Sequence, residues 1–143
     1  MKNIKPILLF FILFTSINDT FAQSIIGKWE CQTITYNITK QDGTTKANPN
    51  KVKEKGMIMT WEFLSNGKLI ATESGQSQEA KWELKGNQLT VKGDFTKALA
   101  MSLGTTDLIY VVEITGNVLN LSVDATKIGP YKKNILTYSY LKI

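Results

Sequence analysis

The chain contains no histidine and no arginine; all 17 of its basic residues are lysines, and cysteine occurs once, at Cys31. Without an imidazole there is no histidine general base and no histidine metal ligand, and without a guanidinium there is no bidentate clamp for phosphate or carboxylate. One cysteine excludes an internal disulfide. Proline is scarce as well: Pro6, Pro49 and Pro130 leave residues 51–129 free of it, as uninterrupted β-ladders require. A length of 143 residues suits a single domain, and 43% hydrophobic with 20% charged residues describes a globular chain. The longest uninterrupted apolar run, Ile7 to Phe14, is far short of the roughly 20 residues that a membrane-spanning helix needs.

That run follows Lys2 and Lys5 and is succeeded by a polar stretch ending in Thr20-Phe21-Ala22. A basic start, a short apolar segment and small residues at the −3 and −1 positions are the three parts of a secretory signal peptide, with cleavage expected after Ala22. Residues 1–22 are therefore read as a signal peptide and 23–143 as the folded domain, exported to a periplasm or secreted. Removing Lys2, Lys5 and Asp19 takes the formal charge from +5 to +4. No cysteine stands at the cleavage point to receive a lipid, and Cys31 within a predicted strand is expected to be buried and inert.

The dominant signal in the remainder is alternation punctuated by tight turns. Trp82 and Leu84 precede Gly86-Asn87, and Leu89 and Val91 follow it, so a two-residue turn puts all four on one face. The same pattern joins Leu108, Tyr110, Val112 and Ile114 through Gly116-Asn117 to Leu119, Leu121 and Val123. A third copy needs a three-residue turn, Ser65-Asn66-Gly67, to set Phe63 opposite Leu69 and Trp61 opposite Ala71. Glu62, Glu83 and Glu113 are then outward residues between apolar neighbours. Strands over Ile25 to Ile38 and Asn134 to Ile143 bracket the hairpins and bring the count to eight. Phe95 to Leu103 fits a ninth strand by alternation, the reading preferred here; its Lys, Ala, Leu and Met content also fits a short helix, which would have the outer face around Ile109, Val111 and Val118 to cover. Sequential hairpins with such short turns predict an all-β, up-and-down antiparallel barrel of about eight strands, which removes its edges by closing.

Gly27-Lys28-Trp29 near the start of the first strand resembles the Gly-x-Trp signature of the lipocalins, and Thr106 to Tyr110 faintly resembles their second motif. The Trp/Phe strands, Asn-Gly turn and Trp-x-Leu-x-Gly-Asn-x-Leu hairpin are similar to small bacterial lipocalin-like domains over nearly all of residues 24–143. The lipocalin arginine that faces the signature tryptophan from the last strand is missing; Lys142 is placed to lay its stem on Trp29 instead. The resemblance implies a calycin-type barrel with a binding rather than a catalytic role.

Catalytic constellations are thin. A serine or threonine nucleophile would have only a lysine for assistance, and the carboxylates alternate outward rather than converge. The chain is expected not to be an enzyme and to carry no cofactor. Trp61, Phe63, Trp82 and Tyr110 fall on predicted inward faces, where they either line a pocket for a small hydrophobic molecule or simply fill the barrel. Lys40, Lys46, Lys51, Lys53 and Lys55 crowd a segment read as a loop at the barrel mouth; it would serve as a polar rim or touch an anionic surface. With no arginine and no outward aromatic cluster, nucleic acid is not an expected partner. The alternative function is that of a packed barrel acting as an envelope interaction module through Ile109, Val111 and Val118.

Overall fold

The structure is a computed structural model and describes residues 24–143; the predicted signal peptide lies outside the described residues. Among the described residues from Gly27 onward, nine strands and one α-helix follow in order: β1 (Gly27–Thr39), β2 (Thr45–Lys51), β3 (Met59–Phe63), β4 (Lys68–Glu73), β5 (Gln76–Lys85), β6 (Gln88–Lys92), α1 (Asp94–Ser102), β7 (Leu108–Thr115), β8 (Val118–Asp124) and β9 (Lys133–Lys142). A one-turn 3-10 helix at Lys53–Lys55 links β2 to β3.

All pairings are antiparallel, and consecutive strands from β3 to β9 are neighbours. Closure is the work of β1. Its first residues, Gly27 to Glu30, pair with β3, while its other edge pairs with β9 from Trp29–Lys142 to Thr39–Lys133. Eight strands thus form a closed ring, as the hairpin pattern predicts.

The three expected hairpins have the expected registers. Leu84 faces Leu89, Ile114 faces Leu119, and Phe63 faces Leu69. Gly86 and Gly116 both have φ of +59°, and the asparagines after them do not enter the left-handed region. That combination is a type II′ turn, whose twist matches the flanking strands and whose first position favours glycine.

Two expectations are corrected. Residues 40–55 are not a loop throughout: Thr45–Lys51 is a ninth strand, paired outside the ring with the second half of β1, Thr33 to Thr39. Pro49 lies in that strand opposite Thr35; an edge strand tolerates it because its outer side needs no ladder donor. Residues 95–103 are not a strand either. Asp94–Ser102 is a helix because its start and stop signals outweigh a short alternation. The Thr96 hydroxyl folds back on Gly93, donating to its carbonyl at 2.9 Å. Asp94 sits in the first turn, where the helix dipole favours a carboxylate. At the far end Gly104 has φ of +73°, with Thr105 N–H donating to Ala100 O and Gly104 N–H to Met101 O, which is a Schellman stop. The helix does not cover Ile109 and Val111, which stay 49% and 51% exposed; it closes one end of the barrel.

The interior is filled from the opposite end. Trp29, Phe63, Leu69, Leu89 and Leu119 are fully buried there, and Tyr140 is nearly so. The Trp29 indole N–H donates to the Ile25 carbonyl at 2.7 Å, tying the incoming chain across the floor. The Lys142 ammonium lies 5.2 Å from the Trp29 ring centroid, as the sequence suggests, in the place of the lipocalin arginine. Gly27 is required beneath it: its φ is +129°, and a Cβ there would sit 3.1 Å from the Lys142 Cε.

Candidate functional site

Between this packed floor and α1 the barrel holds a cavity of about 210 Å³. β3 contributes Met59 and Trp61, β4 Ala71, Thr72 and Glu73, β5 Gln76 and Gln78, β7 Leu108 and Tyr110, and β9 Tyr138; Phe95, Thr96 and Leu99 of α1 roof it. The strand register explains the grouping. Trp61 faces Ala71, which faces Gln78, and Met59 faces Glu73, which faces Gln76, so each inward row steps toward the mouth. Phe95 and Leu99 are four apart and therefore share the helix face turned to the barrel.

Aromatic rings make the walls. Trp61 meets Phe95 at 6.2 Å, Tyr110 at 5.8 Å and Tyr140 at 5.8 Å between centroids, and Tyr110 meets Tyr138 at 6.1 Å. All but the Trp61–Tyr140 contact are edge-to-face, the favoured geometry for such pairs. Burial holds the Tyr110 phenol well above its ordinary value, and it pushes Tyr138 up to about 12, with the Tyr36 and Cys31 side chains adding to the shift. Both hydroxyls are therefore neutral at physiological pH. Of the polar rim, Thr96 is engaged by Gly93, and the Thr72 hydroxyl shares a 2.7 Å hydrogen bond with Ser77. Glu73, Gln76 and Gln78 remain, and among the described residues no lysine lines the cavity.

The four aromatic residues expected at the site divide between two levels. Trp61 and Tyr110 line the cavity. Phe63 lies directly below, 6.0 Å from Trp61, and is completely buried. Trp82 is inward but belongs to the other end: it packs on Phe63 at 5.6 Å, and its indole N–H donates to the Leu64 and Lys68 carbonyls at 3.1 Å each. Alternation assigns a face, not a height along the axis, and β5 is long enough to run from Gln76 at the mouth to Trp82 at the floor. Of the two roles open to them, lining a pocket or filling the barrel, Phe63 fills the barrel, and neither it nor Trp82 lines this cavity; Trp82, half-buried, also borders a groove on the outer surface.

The lysine segment is also displaced from its expected place. Lys46 and Lys51 lie in β2, and Lys53 and Lys55 in the 3-10 helix. Lys51 pairs with Glu54 at 2.9 Å, Lys53 pairs with Glu30, and Lys55 bonds Asn50 at 2.7 Å. Neither these nor Lys40 rims the cavity. A wider, shallower groove of about 790 Å³ crosses the outer surface beside Trp82, lined by charged side chains such as Lys68, Glu79, Lys81 and Lys92. Its walls are ion-paired, Lys68 with Glu79 at 3.1 Å and Lys92 with Asp107 at 3.5 Å, and it lacks the enclosure of the inner cavity.

Sequence reasoning missed Tyr138, Phe95 and Leu99 as wall residues. A bulge between Cys31 and Thr33 in β1 adds Gln32 to one strand only, so the inward parity changes from Trp29 and Cys31 to Ile34, beside which Tyr138 pairs. Gly104 after Ser102 is the stop signal from which the helix could have been found.

Among known proteins, no family model matches this chain, and no curated protein matches it in sequence. Among solved structures, a lipocalin-like protein from Bacteroides uniformis superposes with a TM-score of 0.50 at 14% identity, over 83% of this chain and 98% of that one. At that identity the likeness concerns the fold alone. With its closed ring of eight antiparallel strands, its helix across one end and its tryptophan under the cation of the last strand, this chain has a lipocalin-like β-barrel fold.

Proposed function

We propose that the protein is an exported, non-catalytic binding protein that holds a small apolar molecule in the helix-capped cavity. The observation that carries this reading is the uneven filling of the barrel. At one end Trp29, Phe63, Leu69, Leu89, Leu119 and Tyr140 are buried and fill the interior, while the other keeps about 210 Å³ between Trp61, Tyr110, Tyr138 and α1. That volume is below the ~300–1,000 Å³ of pockets for drug-sized ligands, and above the ~150 Å³ apolar cavity that accepts benzene. A single ring or a short branched chain is the matching size; a long fatty acid is too large. Trp61 and Tyr110 supply wall, with Phe95, Leu99 and Tyr138 beside them.

Ala71→Leu tests the reading. Ala71 is half-buried and lines the cavity, so three added carbons occupy the ligand's space without opening a void. Titration calorimetry against small aromatic compounds should give saturable binding to the parent protein and at least tenfold weaker binding to the variant, with the melting temperature unchanged or raised. No binding to the parent across such a panel, or equal binding by both, removes the proposal.

Export rests on the first 22 residues. Expressed in a bacterial host with its N-terminus intact, the protein should accumulate outside the cytoplasm with a mass corresponding to a start at Gln23. A full-length product retained in the cytoplasm would contradict it.

The alternative of an interaction module draws on Ile109 and Val111, since Val118 is only half exposed and pairs with Leu141 near the opposite end of the sheet. Two such side chains fall short of the several hundred Å² of contiguous apolar surface that marks an interface. The cavity is the better-supported site.

A further inference from the structure

Taking the cavity as the ligand site, we infer that its ligand carries a positive charge: a small organic ammonium with apolar substituents, and not a carboxylate. The charge distribution of the chain makes the observation pointed. The chain has a formal charge of +5, yet among the described residues no lysine lines the cavity, whose one ionisable rim group is Glu73. Six of the chain's other acidic residues are held in ion pairs with lysines; among the described residues Glu73 has none. Asp42, Glu62, Glu113 and Asp124 likewise have no ion pair, but of these five carboxylates only Glu73 lines the cavity, where it stands as an unpaired negative charge at the mouth.

Below that carboxylate stand the rings. Phe95, Trp61, Tyr110 and Tyr138 meet in succession at 6.2, 5.8 and 6.1 Å with interplanar angles of 71°, 80° and 85°. Nearly perpendicular neighbours form the corners of a box. Aromatic faces attract a cation through their quadrupoles, most strongly for tryptophan, and do so best where water is excluded. An alkylated ammonium suits such a box because its charge is spread over carbon and needs no hydrogen-bond partner. Glu73 faces Met59, two residues beyond the Ala71–Trp61 pair, about 7 Å further along the strand. That places a carboxylate above the rings, where it attracts a cation entering the mouth and repels a carboxylate. Gln76 and Gln78 on the facing strand add neutral dipoles and no opposing charge.

Choline is a suitable probe, set against the uncharged alcohol in which a quaternary carbon replaces its nitrogen, and against butyrate. Calorimetry on the purified protein should show choline binding about tenfold or more tighter than its carbon isostere, and butyrate weakest. Glu73 is exposed, so Glu73→Gln leaves the fold intact; it should weaken choline about threefold or more and leave the isostere unchanged. Equal affinity for choline and its isostere, tighter binding of butyrate, or indifference of choline to Glu73→Gln would overturn the charge preference while leaving an apolar ligand site in place. If neither these probes nor neutral aromatic compounds bind, the cavity reading itself fails and the charge preference with it.

Discussion

Above pH 10 the barrel is expected to lose stability steeply and to unfold before pH 12. Four acidic groups in its interior are held protonated by the fold. Burial pushes the Cys31 thiol from 9.0 to about 11 and the Tyr138 phenol from 10.0 to about 12. Burial also raises Tyr110 and Tyr140 well above the ordinary phenol value. A group whose folded-state pKa is raised binds its proton more tightly in the native state, so its contribution is present below the unfolded pKa and disappears as pH climbs through the folded one. The window therefore opens near pH 9 with Cys31 and near pH 10 with the tyrosines. Cys31 and Tyr138 alone account for roughly 2–3 kcal/mol each once both states are ionised. Tyr110 and Tyr140 act in the same direction, against a total stability on the order of 5–15 kcal/mol. Tyrosinate absorbance followed beside far-ultraviolet circular dichroism should show the interior phenols ionising together with the loss of strand signal. Smooth ionisation of all the tyrosines near pH 10 with the fold intact would contradict the burial described for them.

Trp29→Ala is expected to cost about 3–5 kcal/mol, the usual range for truncating a buried tryptophan, and to leave the barrel open or unfolded. Trp29 is fully buried at the point where β1 meets both β3 and β9, opposite Trp61 on one side and Lys142 on the other. Its removal leaves a large void there and deprives the Ile25 carbonyl of its indole donor. The cation above it is worth far less: Lys142→Met should cost no more than ~1 kcal/mol, the scale of an exposed cation–π contact. Lys142→Arg should match or exceed the parent, because a planar guanidinium lies flatter on indole. Urea midpoints of the three variants check this order, and a Lys142→Met loss as large as that of Trp29→Ala would show that closure rests on the cation instead.

The parts of the fold that sequence alone reveals are those governed by local rules. Glycine–asparagine turns set the registers of Trp82 to Val91 and of Ile114 to Leu119, since a two-residue loop admits only one pairing of the flanking alternation. The contact of Lys142 with Trp29 follows in turn from bringing the last strand beside the first. What escaped depends on partners distant in sequence. Thr45–Lys51 has no apolar alternation and a proline; it is a strand because β1 runs on past the ring and offers it an edge. Gln32 forms a bulge whose only signature is the register across β9. The cavity is a matter of height: Trp61, Phe63 and Trp82 share the inside of the barrel, but strand stagger leaves only Trp61 of the three beside the cavity. The same stagger brings Glu73, which no pattern in the sequence singles out, to the rim.

The three indole N–H groups give the most direct test of where a ligand binds, because each reports a different place. Those of Trp29 and Trp82 are hydrogen-bonded to backbone carbonyls at the packed end, and Trp61 lines the cavity. In two-dimensional nitrogen–proton spectra, a small apolar ligand should move the Trp61 indole signal saturably and leave the Trp29 signal in place. A titration in which no indole responds, or in which Trp82 beside the outer groove moves while Trp61 stays fixed, would contradict the assignment of the helix-capped cavity as the binding site.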